Sequence, residues 1–414
     1  MLDNPPLSPQ VREDTAVGEA AALASGAQGV TGAGVAEHAH RVAEVAARHA
    51  HEAEDRRRPH PEVVEALLSA GFARHFVPAE HGGRVGTFAE LTRAVTTVGA
   101  ACTATAWCAS LAANLARMAA YLPAEGRAEV WANGPDALVV GSLSPFGNAE
   151  RVDGGYRLSG RWPYISGVDF SSWALLCGTV PGSGGPVPTV FAVPRSAYSV
   201  VDTWDSVGMR GTGSNTVAVD GALVPASRTF LRAGLLAGRP VDATAACHTV
   251  PLEAANGLSF VTPLLGAARG TQEAWSAYVA EKAAATAGRS GAPGPSRETY
   301  AETLARSVAE IDSAQLLLER CAGIADRGAD VDPLDRTQNL RDCSFAAELL
   351  VSAVDRLFRT SGTGGQLTTR PIQRFWRDVN SASTHVALQF GAAATAYAER
   401  RLWTTTTSSP ASAA

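Results

Sequence analysis

The chain has 414 residues, enough for two or three units that each bury a core of their own. Apolar residues make up 46% and charged residues 18%, the balance of a globular protein, and a formal net charge of −5 gives no basic face for nucleic-acid phosphates. Apolar runs are broken by Arg or Glu before the roughly 18 residues that a membrane-spanning helix needs, so no membrane partner is expected. The start, MLDNPPLSPQVREDTAVGEA, has neither the basic opening nor the apolar core of a secretory signal, which points to a cytoplasmic protein. Cys102, Cys108, Cys177, Cys247, Cys321 and Cys343 show no CxxC spacing, so neither a zinc site nor a disulfide framework is indicated, and they read as small buried hydrophobes.

Residues 1–33, rich in Pro, Gly, Ala and acids without apolar period, read as a flexible tail. From Val35 the pattern is helical: Val42, Val45, Ala46 and His49 share a face, and Pro61 suits the first turn of the next helix. The run TATAWCASLAANLARMAAYLP is apolar on nearly every side and reads as a buried helix. His38, His40, His49, His51 and His60, interleaved with Arg56 to Arg58, fall on a charged helix and read as a solvated face, not a metal site. An N-terminal helical domain over 34–135 follows.

From Asp136 the texture changes to β-branched alternation. Asp153-Gly154-Gly155 and Asp220-Gly221 read as hairpin turns, and SSWALLCGTV and PTVFAVP as buried strands, giving a central β domain over 136–235. Helical period returns over 236–405. Leu304, Val308, Ile311, Ala314, Leu318 and Cys321 form one seam, and Leu340, Cys343, Ala347, Leu350, Val354 and Leu357 a second, as in a four-helix bundle. GRSGAPGPS, from Gly288 to Ser296, reads as a linker between two of these helices, and 406–414 as a second tail.

Three motifs in this α–β–α order, GRWPYISG (160–167), VGMRGTGSNTVAVDGALVP (207–225) and TSGTGGQLTTRPIQRFWRDV (360–379), resemble the acyl-CoA dehydrogenase superfamily. The resemblance implies an α+β fold: a helical N-terminal domain, a small central β-sandwich or barrel, and a C-terminal four-helix bundle, with homotetramers common. The dehydrogenases need a carboxylate base. The two aligned stretches, Gln366 to Pro371 and Asn256 to Leu258, hold none. What remains is the two-component monooxygenase branch, which takes reduced flavin from a separate reductase and oxygenates a small organic substrate through a C4a-hydroperoxide. Aromatic, polyketide or amino-sugar substrates of secondary metabolism, antibiotic biosynthesis included, are the class implied.

The same resemblance implies the site. His385, with Ser142 and Ser144 of SLSPFG, would be catalytic; RDVNSASTHV places Arg377, Ser381 and His385 at i, i+4 and i+8, hence on one helix face. Trp162, Tyr164, Ser166, Arg210, Thr212, Ser214, Gly364, Gly365 and Arg377 would bind the flavin. The FAD-using members' Arg-x-x-Phe-Gly-x-Pro stretch is here GRSGAPGPS, with Arg289 but no aromatic, which favours FMN slightly over FAD. No GxGxxG follows a strand and opens a helix, so a self-contained nicotinamide reaction is not indicated. An acyl-CoA dehydrogenase with its base elsewhere, or a catalytically silent scaffold of the same fold, are the competing expectations.

Overall fold

The computed structural model describes residues 34–286 and 295–403; the two tails and most of the expected linker, with Arg289, lie outside these residues. Helices come first: α1 (Val35–Arg56), α2 (Pro61–Ser69), α3 (Phe88–Ala101), α4 (Thr103–Ala119) and α5 (Ala124–Val130). Pro61 does open α2, with His60 as its cap. Every residue of α4 is buried except Cys108 and Leu111, which are half-buried. Its sequence has no polar stripe because it has no solvent face.

Seven strands follow: β1 (Val139–Val152), β2 (Gly155–Ile165), β3 (Trp173–Val180), β4 (Val187–Pro194), β5 (Ser199–Val201), β6 (Asn215–Pro225) and β7 (Thr229–Leu231). They form one sheet in the order β5-β6-β2-β1-β3-β4-β7. Leu175 and Cys177 of β3 pack with Leu115 and Met118 of α4 and with Tyr121 just past it, while Ala174 and Leu176 pack with Leu158, Trp162 and Val217. A strand buried on both faces reads as a continuous apolar run, which is why WALLCGTV does not alternate.

The Asp153–Gly154 hairpin is present, with Val152 paired to Gly155. The second expected hairpin is not. Asp220 and Gly221 lie inside β6, where Leu158 pairs with Ala222 but Gly160 pairs with Val219, so β6 carries one extra residue. This is a β-bulge, with Gly221 at φ +65° and its N–H donated to Ser159 Oγ at 2.9 Å. A Gly that permits positive φ serves a bulge as well as a turn.

Two short helices, α6 (Arg232–Leu236) and α7 (Ala246–Thr249), lead to α8 (Leu252–Thr286), α9 (Arg297–Ala325), α10 (Pro333–Ser361), α11 (Pro371–Ala382) and α12 (Phe390–Ala398). The seams predicted for α9 and α10 face inward: Ile311, Ala314, Leu318, Cys321, Cys343, Ala347, Leu350, Val354 and Leu357 are all buried. N-terminal and C-terminal helices share one core, in which Leu91, Val95 and Val98 of α3 meet Leu258, Val261 and Leu265 of α8. A polar tie fixes the same junction: Asp326, just past α9, accepts the N–H groups of Phe88 (2.6 Å) and Ala89 (3.1 Å) in the first turn of α3. Asp326→Ala should lower unfolding stability by about 1–3 kcal/mol, because it leaves two helix N–H groups without their acceptor. Asp326→Asn, which keeps one carbonyl oxygen, should lose less in the same urea titration, and equal losses would contradict this role.

Candidate active site

The segment Val207–Asn215 connects the sheet to the helical layers, and α11 holds it. Met209 sits at φ +57°, its N–H donated to Asp378 Oδ1 at 2.6 Å. Arg377 donates Nη1 to Val207 O at 2.8 Å and Nε to Gln373 Oε1 at 2.9 Å, and it pairs with Glu54 of α1. Gly208 is needed here, since a Cβ would stand 2.2 Å from Arg377 O. On the far side, Met209 O accepts from Trp204 Nε1 (3.1 Å), Thr212 N (3.1 Å) and Thr212 Oγ1 (2.8 Å). Asp378 is buried, and burial pushes its carboxyl up to about 6 against the opposing pull of the Met209 N–H and of Arg374 and Arg377.

From this anchor a line of hydroxyls runs to α4. Thr212 Oγ1 lies 2.6 Å from Ser214 Oγ, which lies 2.8 Å from Ser166 Oγ, which accepts Trp107 Nε1–H at 3.2 Å. Next to its Trp107 end is an aromatic group. The His385 ring stacks on Phe260 (3.8 Å between centroids, 23°) and meets the Trp107 edge (5.8 Å, 74°), with Trp107 and Phe260 5.2 Å apart. These rings come from α4, α8 and the turn after α11, and Ser166 follows β2. Ser166, Phe260 and His385 are half-buried.

The Ala387 N–H donates to His385 Nδ1 at 3.2 Å, so the proton of the neutral ring is assigned to Nε2. Burial lowers the ring to about 4. His385 is therefore neutral at physiological pH and offers one N–H donor.

Tyr164 shows why a strand residue can face outward against the alternation. Trp162 pairs with Val217 and Ile165 with Asn215, so β2 carries an extra residue at Pro163–Tyr164. Tyr164 adopts φ +66° and is 73% exposed, an aromatic held in a strained backbone of the kind that concentrates at functional sites. It lies edge-on to Trp204, ring centroids 6.3 Å apart.

Trp162 and His385 stand differently from the sequence reading. Trp162 is fully buried in the sheet core, with Nε1 donated to Cys177 O at 2.7 Å, so it has no surface for a ligand. His385 does not share a helix face with Arg377 and Ser381. Helix α11 stops at Ala382, and Ser383 and Thr384 turn their hydroxyls back onto the carbonyls of Asn380 and Ser381. Arg210 is engaged by Asp205 and Ser206 O. Ser142 and Ser144 lie on β1, where Ser142 Oγ accepts the Ser144 N–H at 3.3 Å; among the described residues no hydrogen bond joins either to Ser166. Gly364 lies beside the Tyr278 hydroxyl and Gly365 beside Ser361. Phe260, Trp204 and Asp378 are site residues that the sequence reading did not single out; Asp378 is the acid of the FWRD motif.

The histidine-rich helix end is also more structured than a solvated face. His49 and His60 stack at 3.7 Å with planes 7° apart, and a ligand atom from each lies within 4.8 Å of Glu52. His49 Nε2 meets Glu62 at 3.1 Å, so the cluster fastens α1 to α2. Rings stacked in parallel do not aim two lone pairs at one point.

A planar redox ring is well matched by aromatic faces beside a hydroxyl line and an N–H donor, and these residues fit a flavin. Comparison with known proteins identifies the family. Residues 32–130 match the family description "Acyl-CoA dehydrogenase, N-terminal domain", and residues 258–390 "Acyl-CoA dehydrogenase, C-terminal domain". The chain is 34% identical over 376 residues to the oxygenase component of an FADH(2)-dependent resorcinol hydroxylase of Rhizobium sp. (strain MTP-10005), covering 86% of this chain and 90% of that one. It is 32% identical over 349 residues to the flavin-dependent monooxygenase oxygenase subunit HsaA of Rhodococcus jostii (strain RHA1), covering 82% and 90%. The chain belongs to this family of flavin-dependent monooxygenase oxygenase components. Among solved structures, the 3-HSA hydroxylase from Rhodococcus sp. RHA1 superposes with a TM-score of 0.82 at 27% identity, covering 90% of this chain and 97% of that one. XiaF from Streptomyces sp., in complex with FADH2 and glycerol, gives 0.79 at 26% identity, covering 92% and 96%. No helix among the described residues is long and apolar enough to cross a membrane.

Asp378 yields a test of the clamp. Its folded pKa, near 6, lies above that of an unfolded Asp, near 3.9, so the folded state holds a proton that the unfolded chain releases. The contribution of Asp378 to stability should fall as pH rises from about 4 to 6, by about 2–3 kcal/mol, and stay constant above. Asp378→Asn retains an acceptor for the Met209 N–H and should lack that fall. Stability-versus-pH curves of equal slope for wild type and variant would contradict the assignment.

Proposed function

We propose that this monooxygenase hydroxylates a small phenolic or related aromatic molecule, using O2 and reduced flavin supplied by a separate reductase. The observation that carries the reading is the group of Trp107, Phe260 and His385 at the end of the hydroxyl line that starts at Met209. Relatives named for aromatic hydroxylation support it: the resorcinol hydroxylase, and a p-hydroxyphenylacetate 3-hydroxylase of Acinetobacter baumannii at 26% identity. The bound flavin would supply the two electrons and the C4a-hydroperoxide that delivers one oxygen atom, the second leaving as water. FADH2 is favoured over FMN by the resorcinol hydroxylase's name and by the XiaF complex, against the slight preference for FMN in the sequence. Leu316 (68% exposed) and Phe345 (42%) on the bundle helices suit the homotetramer proposed for the chain.

The residues divide the work. Trp107 and Phe260 exclude water from the reacting centre, which protects an oxygen-activated flavin from wasteful loss of peroxide. His385, neutral with its proton at Nε2, donates to an oxygen atom of substrate or oxidant. A phenol whose oxygen accepts that N–H ionises more readily, so the ring becomes more nucleophilic without His385 having to remove the proton. Tyr164 and Ser166 are proposed as flavin contacts, with the Met209–Ser214 loop behind Ser166.

Stopped-flow absorbance, mixing protein that carries anaerobically reduced FAD with oxygenated buffer, tests the reading. A transient near roughly 380 nm, longer-lived with protein than without and shortened by about tenfold or more in His385→Ala, is expected. Oxidation at the free-flavin rate would overturn it, and bleaching of bound oxidised flavin by an acyl-CoA would restore a dehydrogenase reading. Between pH 6 and 9 the transient's decay should show no ionisation from His385, whose burial keeps it neutral there. A His385-dependent inflection near 6.5 would contradict the assigned tautomer and environment.

A further inference from the structure

The proton order along the hydroxyl line carries a consequence for which redox form of the cofactor the site accepts. Four gaps run from Trp107 Nε1 to Ser166 Oγ (3.2 Å), to Ser214 Oγ (2.8 Å), to Thr212 Oγ1 (2.6 Å) and to Met209 O (2.8 Å). The first group is an indole N–H, which only donates, and the last a carbonyl oxygen, which only accepts. Three hydroxyls between them bring three protons, so four protons serve four gaps. One arrangement places a proton in each: Trp107 donates to Ser166, Ser166 to Ser214, Ser214 to Thr212 and Thr212 to Met209 O. Any other leaves two oxygens 2.6–2.8 Å apart with no proton between them. The ordered chain is also the cooperative one, since each donation polarises the next.

Ser166 is the half-buried member; Thr212 and Ser214 are buried. With its proton committed inward and one lone pair taken by Trp107, Ser166 has one lone pair left and no hydrogen to give. We propose that Ser214 and Thr212 are positioning residues that make Ser166 an acceptor only, and that this sets a preference for reduced over oxidised flavin. Reduced flavin carries an N–H on its central ring; oxidised flavin has a bare nitrogen there, which needs a donor. A ring that presents the N–H to Ser166 gains a hydrogen bond, and one that presents the bare nitrogen meets lone pair against lone pair. The preference would let the protein take flavin from a reductase and release it once oxidised. It rests on the proposed flavin contact of Ser166.

The experiment is a pair of binding titrations, with oxidised FAD followed by fluorescence quenching and with dithionite-reduced FAD followed anaerobically by absorbance. Wild type, Ser214→Ala, Thr212→Val, Ser214→Thr and Trp107→Phe are compared. Ser214→Ala frees the Ser166 proton, and Thr212→Val frees it by letting Ser214 donate back to Ser166. Both should lower the ratio of oxidised to reduced dissociation constants about fivefold or more, mainly by tightening the oxidised form. Ser214→Thr keeps the hydroxyl and should keep the ratio. Trp107→Phe removes a donor without freeing the Ser166 proton, so any change should be common to both constants and leave their ratio in place. An unchanged ratio in Ser214→Ala and Thr212→Val, or an equal collapse in Trp107→Phe, would overturn the inference and leave the oxygenase reading standing. Wild-type protein that binds neither form would overturn both.

Discussion

The structure of the site depends on how the backbone of one residue, Met209, is held. Met209 N–H is bound by the buried Asp378 carboxyl, and Met209 O collects Trp204 Nε1 and both donors of Thr212. Apart from the 3-10 turn Arg210–Thr212 the loop lies outside the regular elements, so Asp378 and Arg377 of α11 and the Gly167 N–H just past β2 supply its remaining backbone partners. Arg377 adds a second tie to the loop at Val207 O, and Arg57 of the α1 terminus holds Trp204 O and Asp202. Thr212 and Ser214 can pass hydrogen-bond order to Ser166 only because this loop is fixed in place. A mobile loop would average that order away.

Two ionisable groups of the site, the buried Asp378 and the half-buried His385, shift in opposite senses for one reason. Burial disfavours charge, which raises Asp378 and lowers His385. Asp378 keeps enough hydrogen-bond and arginine support to anchor the loop. His385 has aromatic neighbours and one backbone N–H, and stays neutral. An apolar wall with a neutral donor suits chemistry in which stray protons would discharge an activated oxygen species. The carboxylate base of the dehydrogenase type has no counterpart in the stretches where the family resemblance would place it.

Much of the fold was legible from period alone. The seams of α9 and α10 follow from helical spacing, the all-round burial of α4 from its lack of a polar stripe, and the Asp153–Gly154 hairpin from its turn residues. Departures arise where register decides. Asp220–Gly221 has the composition of a hairpin turn, and only the pairing with β2 shows it to be a bulge. Alternation would put Trp162 and Tyr164 on one face, yet the bulge at Pro163–Tyr164 buries the first and exposes the second. The i, i+8 placement of His385 assumed a helix that ends three residues earlier. Phe260 gave no signal, because an aromatic in a uniformly apolar helix looks like core. The motifs did point to the Thr212–Ser214 loop and to Ser166, but the direction of the hydrogen bonds between them is a property of distances and of the carbonyl at the end of the line.

A crystal structure of the protein with reduced flavin, formed and frozen without oxygen, tests the central claim most directly. The account predicts the flavin ring system against Ser166 and the Trp107–Phe260–His385 group, with a ring N–H within hydrogen-bond distance of Ser166 Oγ and the Met209–Asp378 contact intact. A flavin seated elsewhere on the chain, or seated at Ser166 with the Met209 loop released from Asp378, would contradict it.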